Sequence, residues 1–214
     1  MDKPREHLVD AGGSAQTNTL EKNHIGENLQ GEKMEFNTIK YENPKDGIGL
    51  ITLNRPDRLN AINLDMLEEL HVLFERLNTD ENVRIILITG AGRGFSSGAD
   101  LLDERIASEA ATLFSSAAAH LVNIQRVYSR LIIEMRRLPQ PIIAAVNGPA
   151  AGGGMCIALA SDVIIANRKA AFTPSFINIG LSGGELGSSY FLPKLVGTAR
   201  AADILLTGRT VGAV

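Results

Sequence analysis

Two short apolar runs, VRIILIT at 83–89 and PIIAAV at 141–146, each lead into a glycine-rich turn, TGAGRGFSSGADL and NGPAAGGGM. A run of this length without polar alternation fits a strand buried on both faces, as in a parallel sheet covered by helices. Around these runs the period changes. Met66, Leu67, Leu70, Phe74 and Leu77 fall on one face of a helix over 64–77, with Asn63 as its cap. Residues 104–138 are mostly helical in pattern and stop before Pro139 and Pro141. DVIIAN at 162–167 is a further strand, and helices begin after Gly152, near Ser188 and at Thr198. Upstream, 36–41 and 47–53 are two strands about a turn at 43–46, and FINIGLSGGELG at 176–187 is a loop. Strands alternating with helices predict an α/β domain. The two glycine-rich turns would then point backbone N–H groups at one shared pocket.

A chain of 214 residues is long enough for one domain with a substantial core. Residues 1–33 are polar and without a sustained period, so a flexible arm is expected there and the core domain over 34–214. The arm holds no apolar block of the signal-peptide kind. The uncharged stretch 141–160 matches a membrane span in length, but four glycines, two prolines and Asn147 interrupt it, which favours a strand followed by a helix. A net charge of −3 gives no electrostatic case for nucleic acid or an anionic membrane as partner. The absence of tryptophan argues against stacking on bases or sugar rings. Cys156 is the single cysteine, so no internal disulfide forms and a reducing, cytoplasmic setting is expected.

Three chemistries compete for the glycine-rich loops. A dinucleotide-binding phosphate loop fails on spacing, because Phe95 stands where the third glycine belongs. Gly94–Phe95–Ser96–Ser97–Gly98 matches the G-x-S-x-G nucleophile elbow, but the histidine after it, His120, precedes Asp162 and Asp203, the wrong order for that fold. The third is an oxyanion hole of two backbone N–H groups, one from FSSGADL and one from the helix start after Gly152, where small residues admit a carbonyl oxygen and the helix end adds positive charge. Close helix–sheet packing explains the same glycines equally well.

LNRPDRLNAIN, GRGFSSGADL, PIIAAVNGPAAGGGMCIALASDVIIA and LLTGR, in this order, resemble the crotonase (enoyl-CoA hydratase/isomerase) superfamily over about 34–214. The resemblance implies an α/β, crotonase-like spiral of ββα turns (the ClpP/crotonase fold). It implies an acyl-CoA thioester as substrate with no separate cofactor or metal, a trimer or hexamer, and a place in fatty-acid or related acyl-CoA metabolism. It assigns the oxyanion donors to the N–H groups of Ser97 and Gly153. It places substrate contacts at Arg58 and Ala61, and along Ser97, Gly98, Ala99, Asp100 and Leu101.

Two departures accompany it. The hydratase glutamates fall on Cys156 and Phe176, neither a useful proton carrier for this step. Cys156, flanked by Met155, Ile157 and Ala158, is expected as a small buried residue rather than a nucleophile. A remaining carboxylate is Glu185, either the acid/base or a charge favouring the following helix. Asp100 is expected to brace its loop. The family continues past LLTGR into helices that close the site, whereas this sequence ends at Val214, so the closing helices are expected to be missing. A non-catalytic acyl-CoA-binding or assembly subunit is the alternative to an enzyme.

Overall fold

The computed structural model describes residues 35–105 and 117–214. The chain divides between Glu35 and Phe36, and the architecture is that of Phe36–Val214. The arm expected over 1–33 lies outside the described residues.

A five-stranded sheet runs in the order β1 (Ile39–Lys45), β2 (Ile48–Leu53), β3 (Ile85–Gly90), β4 (Ile142–Val146), β6 (Val163–Ala166). Within this sheet only the β1–β2 pair is antiparallel. A small second sheet joins β5 (Ala150–Ala151), β7 (Ala171–Thr173) and β8 (Val211–Gly212). The helices are α1 (Leu64–Leu77), α2 (Ala117–Arg137), α3 (Gly153–Ala160), α4 (Ser188–Val196) and α5 (Thr198–Thr207), with three short 3-10 turns at Pro56–Arg58, Ile177–Ile179 and Glu185–Gly187. This is the α/β architecture expected.

Helix α1 has the predicted bounds. Asn63 accepts from the Met66 N–H at 3.1 Å, and Met66, Leu67, Leu70, Leu73, Phe74 and Leu77 are buried. Below it α2 packs Tyr128, Leu131, Ile132 and Met135 into the same core. The first part of the expected helix, 106–116, lies outside the described residues. Helix α3 is buried on every side.

Three expectations need correction. The first turn is not at 43–46. β1 continues through Asn43 and Pro44, with an irregular register between Glu42 and Lys45, and the reversal falls at Asp46 and Gly47. Pro44 is tolerated because β1 is an edge strand, where a missing N–H costs no pairing, and Gly47 supplies the positive φ of +78°. The strand also begins at Ile39 rather than Phe36, because the Glu69 carboxylate takes the N–H groups of Asn37, Thr38 and Ile39.

Third, the central strands are not buried on both faces. The row Ile51, Ile88, Ala144 faces the core, fully or almost fully buried. The neighbouring row Leu50, Leu87, Ile143 is only half-buried and ends on exposed Val163, while Ile165 beside it is 61% exposed. Among the described residues nothing fully covers that face.

Candidate active site

β3 and β4 are parallel neighbours, so the loops that leave their carboxyl ends lie side by side. Backbone bonds lock the two loops together. The Phe95 N–H donates to Pro149 O at 2.9 Å, and the Ala151 N–H to Ser96 O at 2.9 Å. The Asn60 amide, fully buried, donates to the carbonyls of Ala91, Gly94 and Phe95 and ties the 54–63 loop to them. Leu59 and Asn60 both adopt left-handed backbone, at φ 50° and 53°. Non-glycine residues hold such a conformation only when their surroundings fix it, and the Asn60 bonds do so. Its role was not foreseen from the sequence, where the available signal was that asparagine tolerates this region.

Ser96 is not a nucleophile. Its hydroxyl is buried, donates to Asn60 O at 2.8 Å and accepts from the Gly98 N–H. Ser97 cannot be the oxyanion donor expected of it, because its N–H is committed to Leu59 O at 2.9 Å. The free donor of this loop belongs to Ala99. Ile62 bridges to the strand at Ala99 by taking Gly98 O and giving its own carbonyl to the Asp100 N–H, both at 2.8 Å. In a parallel bridge of this kind the central residue turns its own N–H to the opposite side. The Ala99 N–H donates to no atom among the described residues, and Ala99 is exposed.

Facing it is the first turn of α3, whose N–H groups have no intrahelical acceptor and no side-chain cap. A Cβ placed on Gly153 would stand 3.8 Å from the Ala99 nitrogen. Gly98, at φ 91°, makes the approach possible, since a Cβ there would lie 2.8 Å from Ala151 O and 3.0 Å from the Gly153 nitrogen. Two main-chain donors, one at a helix start, thus lie close together.

The other expected contacts are distributed around this pair. Arg58 and Leu101 are exposed, Gly98 is buried and Ala61 nearly so, its carbonyl receiving the Arg55 guanidinium. Asp100 braces the loop through an ion pair with Arg55 at 2.8 Å and by accepting the Leu102 N–H. Ile62 and Leu186 line the position beside Gly153, each 3.4 Å from a Cβ built there. Phe176 is buried next to Gly152. Cys156 is fully buried, and burial, then the charge of Glu185, push its thiol well above the ordinary cysteine range. That leaves it protonated and unreactive.

Glu185 occupies the 3-10 turn before α4 and is half-buried, its carboxylate accepting from the Ser182 hydroxyl at 3.3 Å. Its chain neighbour Leu186 is the residue that reaches the Gly153 position. The carboxylate expected from sequence therefore lies on the loop whose next residue packs beside Gly153.

A match to the enoyl-CoA hydratase/isomerase family model covers residues 43–214. The chain belongs to the enoyl-CoA hydratase/isomerase family. It is 46% identical over 170 residues to a probable enoyl-CoA hydratase of Mycobacterium leprae, covering 79% of this chain and 57% of that one. It is 38% identical over 168 residues to the 1,2-epoxyphenylacetyl-CoA isomerase of Escherichia coli, covering 78% and 62%. The crystal structure of a probable enoyl-CoA hydratase/isomerase from Mycobacterium abscessus superposes with a TM-score of 0.74 at 41% identity, covering 83% and 65%. The chain thus spans about three fifths of the length of these family members. Among the described residues no helix is long and apolar enough to cross a membrane, and no three His, Cys, Asp or Glu side chains could hold a metal.

Proposed function

We propose that this crotonase-family chain acts on acyl-CoA thioesters, with the Ala99 and Gly153 N–H groups receiving the thioester oxygen and Glu185 moving the proton. The observation that carries this reading is the pair of neighbouring main-chain N–H groups that donate to no atom among the described residues. As a proton leaves the carbon beside the carbonyl, negative charge collects on the oxygen. Both donors and the positive end of α3 then bind more strongly than they bind the ground state, which is how such a site lowers a barrier.

One carboxylate, with Cys156 and Phe176 where hydratases carry glutamates, suits a proton shuttle better than addition of water. Glu185 takes the α-proton of a β,γ-enoyl thioester, and the electron pair passes into a dienolate held by the two N–H groups. The same carboxyl returns its proton to the γ-carbon, and the double bond moves into conjugation with no water consumed. Exposed Arg58 and the 97–101 loop are the surface offered to the CoA arm. A cytoplasmic homo-oligomer serving fatty-acid or related acyl-CoA metabolism completes the proposal.

The test is turnover of a β,γ-enoyl-CoA, followed by absorbance of the conjugated product, together with deuterium entry beside the carbonyl in heavy water. Glu185→Gln is expected to lower both rates by about 10²–10⁴-fold while CoA affinity holds. The alternative of a non-catalytic acyl-CoA-binding or assembly subunit rests on Cys156 and Phe176 standing at both hydratase glutamate positions. Tight binding without any exchange by the unmodified chain would establish it instead.

A further inference from the structure

We propose that Ser188 is a positioning residue for Glu185, pinning the main chain of that residue so that its carboxylate keeps a fixed reach to the substrate. The proposal rests on the reading of Glu185 as the proton carrier.

Ser188 opens α4 and is fully buried. A serine at a helix start ordinarily accepts from a backbone N–H of the first turn. Here the hydroxyl does the opposite, and α4 has no side-chain cap. Its proton is shared between two carbonyls of the preceding loop, Gly183 O at 2.7 Å and Glu185 O at 2.8 Å. The Glu185 carbonyl also takes the Ser188 N–H. From the opposite side, the Cys156 thiol on α3 reaches the same carbonyl at 3.7 Å, a weaker contact. Donors from two helices therefore converge on one main-chain oxygen. One of those helices is the element whose first turn carries the Gly153 N–H.

This convergence has a mechanical reason. Immediately after Glu185 the backbone turns left-handed at Leu186, φ 52° and ψ 30°, and again at Gly187, φ 76°. A leucine holds that conformation at a cost that outside bonds must offset. Without the hydroxyl, the turn can relax toward ordinary backbone. The Glu185 side chain and the Leu186 contact with the Gly153 position then shift together. Ser182, bonded to the carboxylate and accepting the Gly184 N–H, holds the other end of the same residue. The cysteine at a hydratase glutamate position thus acts as a packing and registration point for the loop that bears the remaining acid.

The experiment compares Ser188→Ala, Ser188→Thr, Glu185→Gln and the Ser188→Ala/Glu185→Gln double variant of the full chain, with β,γ-enoyl-CoA turnover and melting temperature as readouts. Ser188→Ala is expected to lower kcat about ten- to a hundredfold, the scale of a small misplacement of a reacting group, with KM within about twofold. Ser188→Thr, which keeps the hydroxyl, restores most of the rate. In the Glu185→Gln background Ser188→Ala costs nothing more, because both changes disable one unit. A folded Ser188→Ala variant with unchanged kcat, or losses that multiply in the double variant, overturns the positioning role and leaves Glu185 standing. Unchanged turnover in Glu185→Gln overturns the Glu185 reading itself. If Ser188→Ala fails to fold, Ser188→Cys, with its weaker donor, takes its place, and kcat equal to that of the unmodified chain is the refuting result.

Discussion

A Cβ on Gly154 would stand 2.4 Å from the Ser96 carbonyl oxygen, closer than any side chain can pack. Gly152 has φ 48° and ψ −120°, a backbone region that leaves glycine as the practical choice. Gly153 alone of the three has neither a positive φ nor a clash, its Cβ position lying 3.4 Å from Ile62 and Leu186. The triplet thus answers to three separate demands, and packing and chemistry, which the sequence offered as rivals, fall on different residues of it. Gly153 is also the first residue of α3, where proline is well accommodated because that N–H has no helical partner. Gly153→Pro is therefore expected to fold and to lower thioester turnover by about 10²–10³-fold, as for one lost oxyanion donor. Gly154→Ala is expected to lower the melting temperature instead. The two are separated by measuring circular-dichroism melts and kcat on both, and a Gly153→Pro variant with normal kcat rules the donor out. Ser97 shows the limit of spacing. Its place in the motif is right, but which N–H of FSSGADL is free depends on partners from 59 and 62, far away in the chain.

Elements with their own periodicity and cap were legible from sequence. Helix α1 is the case in point, because a six-residue apolar face and a side-chain cap are local signals. The first hairpin was legible too, but not where its first strand begins, since Glu69 on α1 draws off the N–H groups that would have started β1 earlier. A comparable tertiary tie sits where α3 meets β6. Asp162 accepts the Ile142 N–H at 2.8 Å and pairs with Arg136 of α2 at 2.7 Å. Partial burial would raise its carboxyl, but the Ile142 bond and Arg136 outweigh that and hold it below the usual carboxylate value. A carboxyl depressed in the folded state adds stability above its unfolded pKa and loses it as pH falls through the folded one. Asp162→Asn is therefore expected to lower stability at neutral pH by no more than about 1 kcal/mol, the side chain being more than a third exposed. The deficit should shrink as pH drops through 4 and below. Melts of both proteins across pH 3–7 check it, and a gap that widens toward acid contradicts the assignment.

At the scale of the whole fold, the parallel sheet was legible as a class, while the state of its second face was not. Continuous apolar strands announce burial on both sides, yet burial depends on what else the polypeptide brings to that face. Ile165, at 61% exposure, and Ile88, at 2%, lie on opposite faces of the sheet. Ile165→Thr is expected to change unfolding free energy by less than about 0.5 kcal/mol. Ile88→Thr should cost more than about 2 kcal/mol, because it buries a hydroxyl where a methyl packed. Urea titrations of the two variants decide this, and an equally large loss at Ile165 would mean that its face is covered in solution.

The donors at Ala99 and Gly153 are main-chain atoms, and that bears on how such a protein changes over generations. Short of proline, no codon change deletes an N–H group, whereas any single substitution removes a carboxylate. The inheritance of the site is thus split. Under the proposed reading, the main-chain grip on a carbonyl persists through drift, while the side chains at 156, 176 and 185, of which only Glu185 carries an acid here, are open to replacement one at a time. A lineage built this way can lose one acid and recruit another without passing through a form that lacks its paired donors.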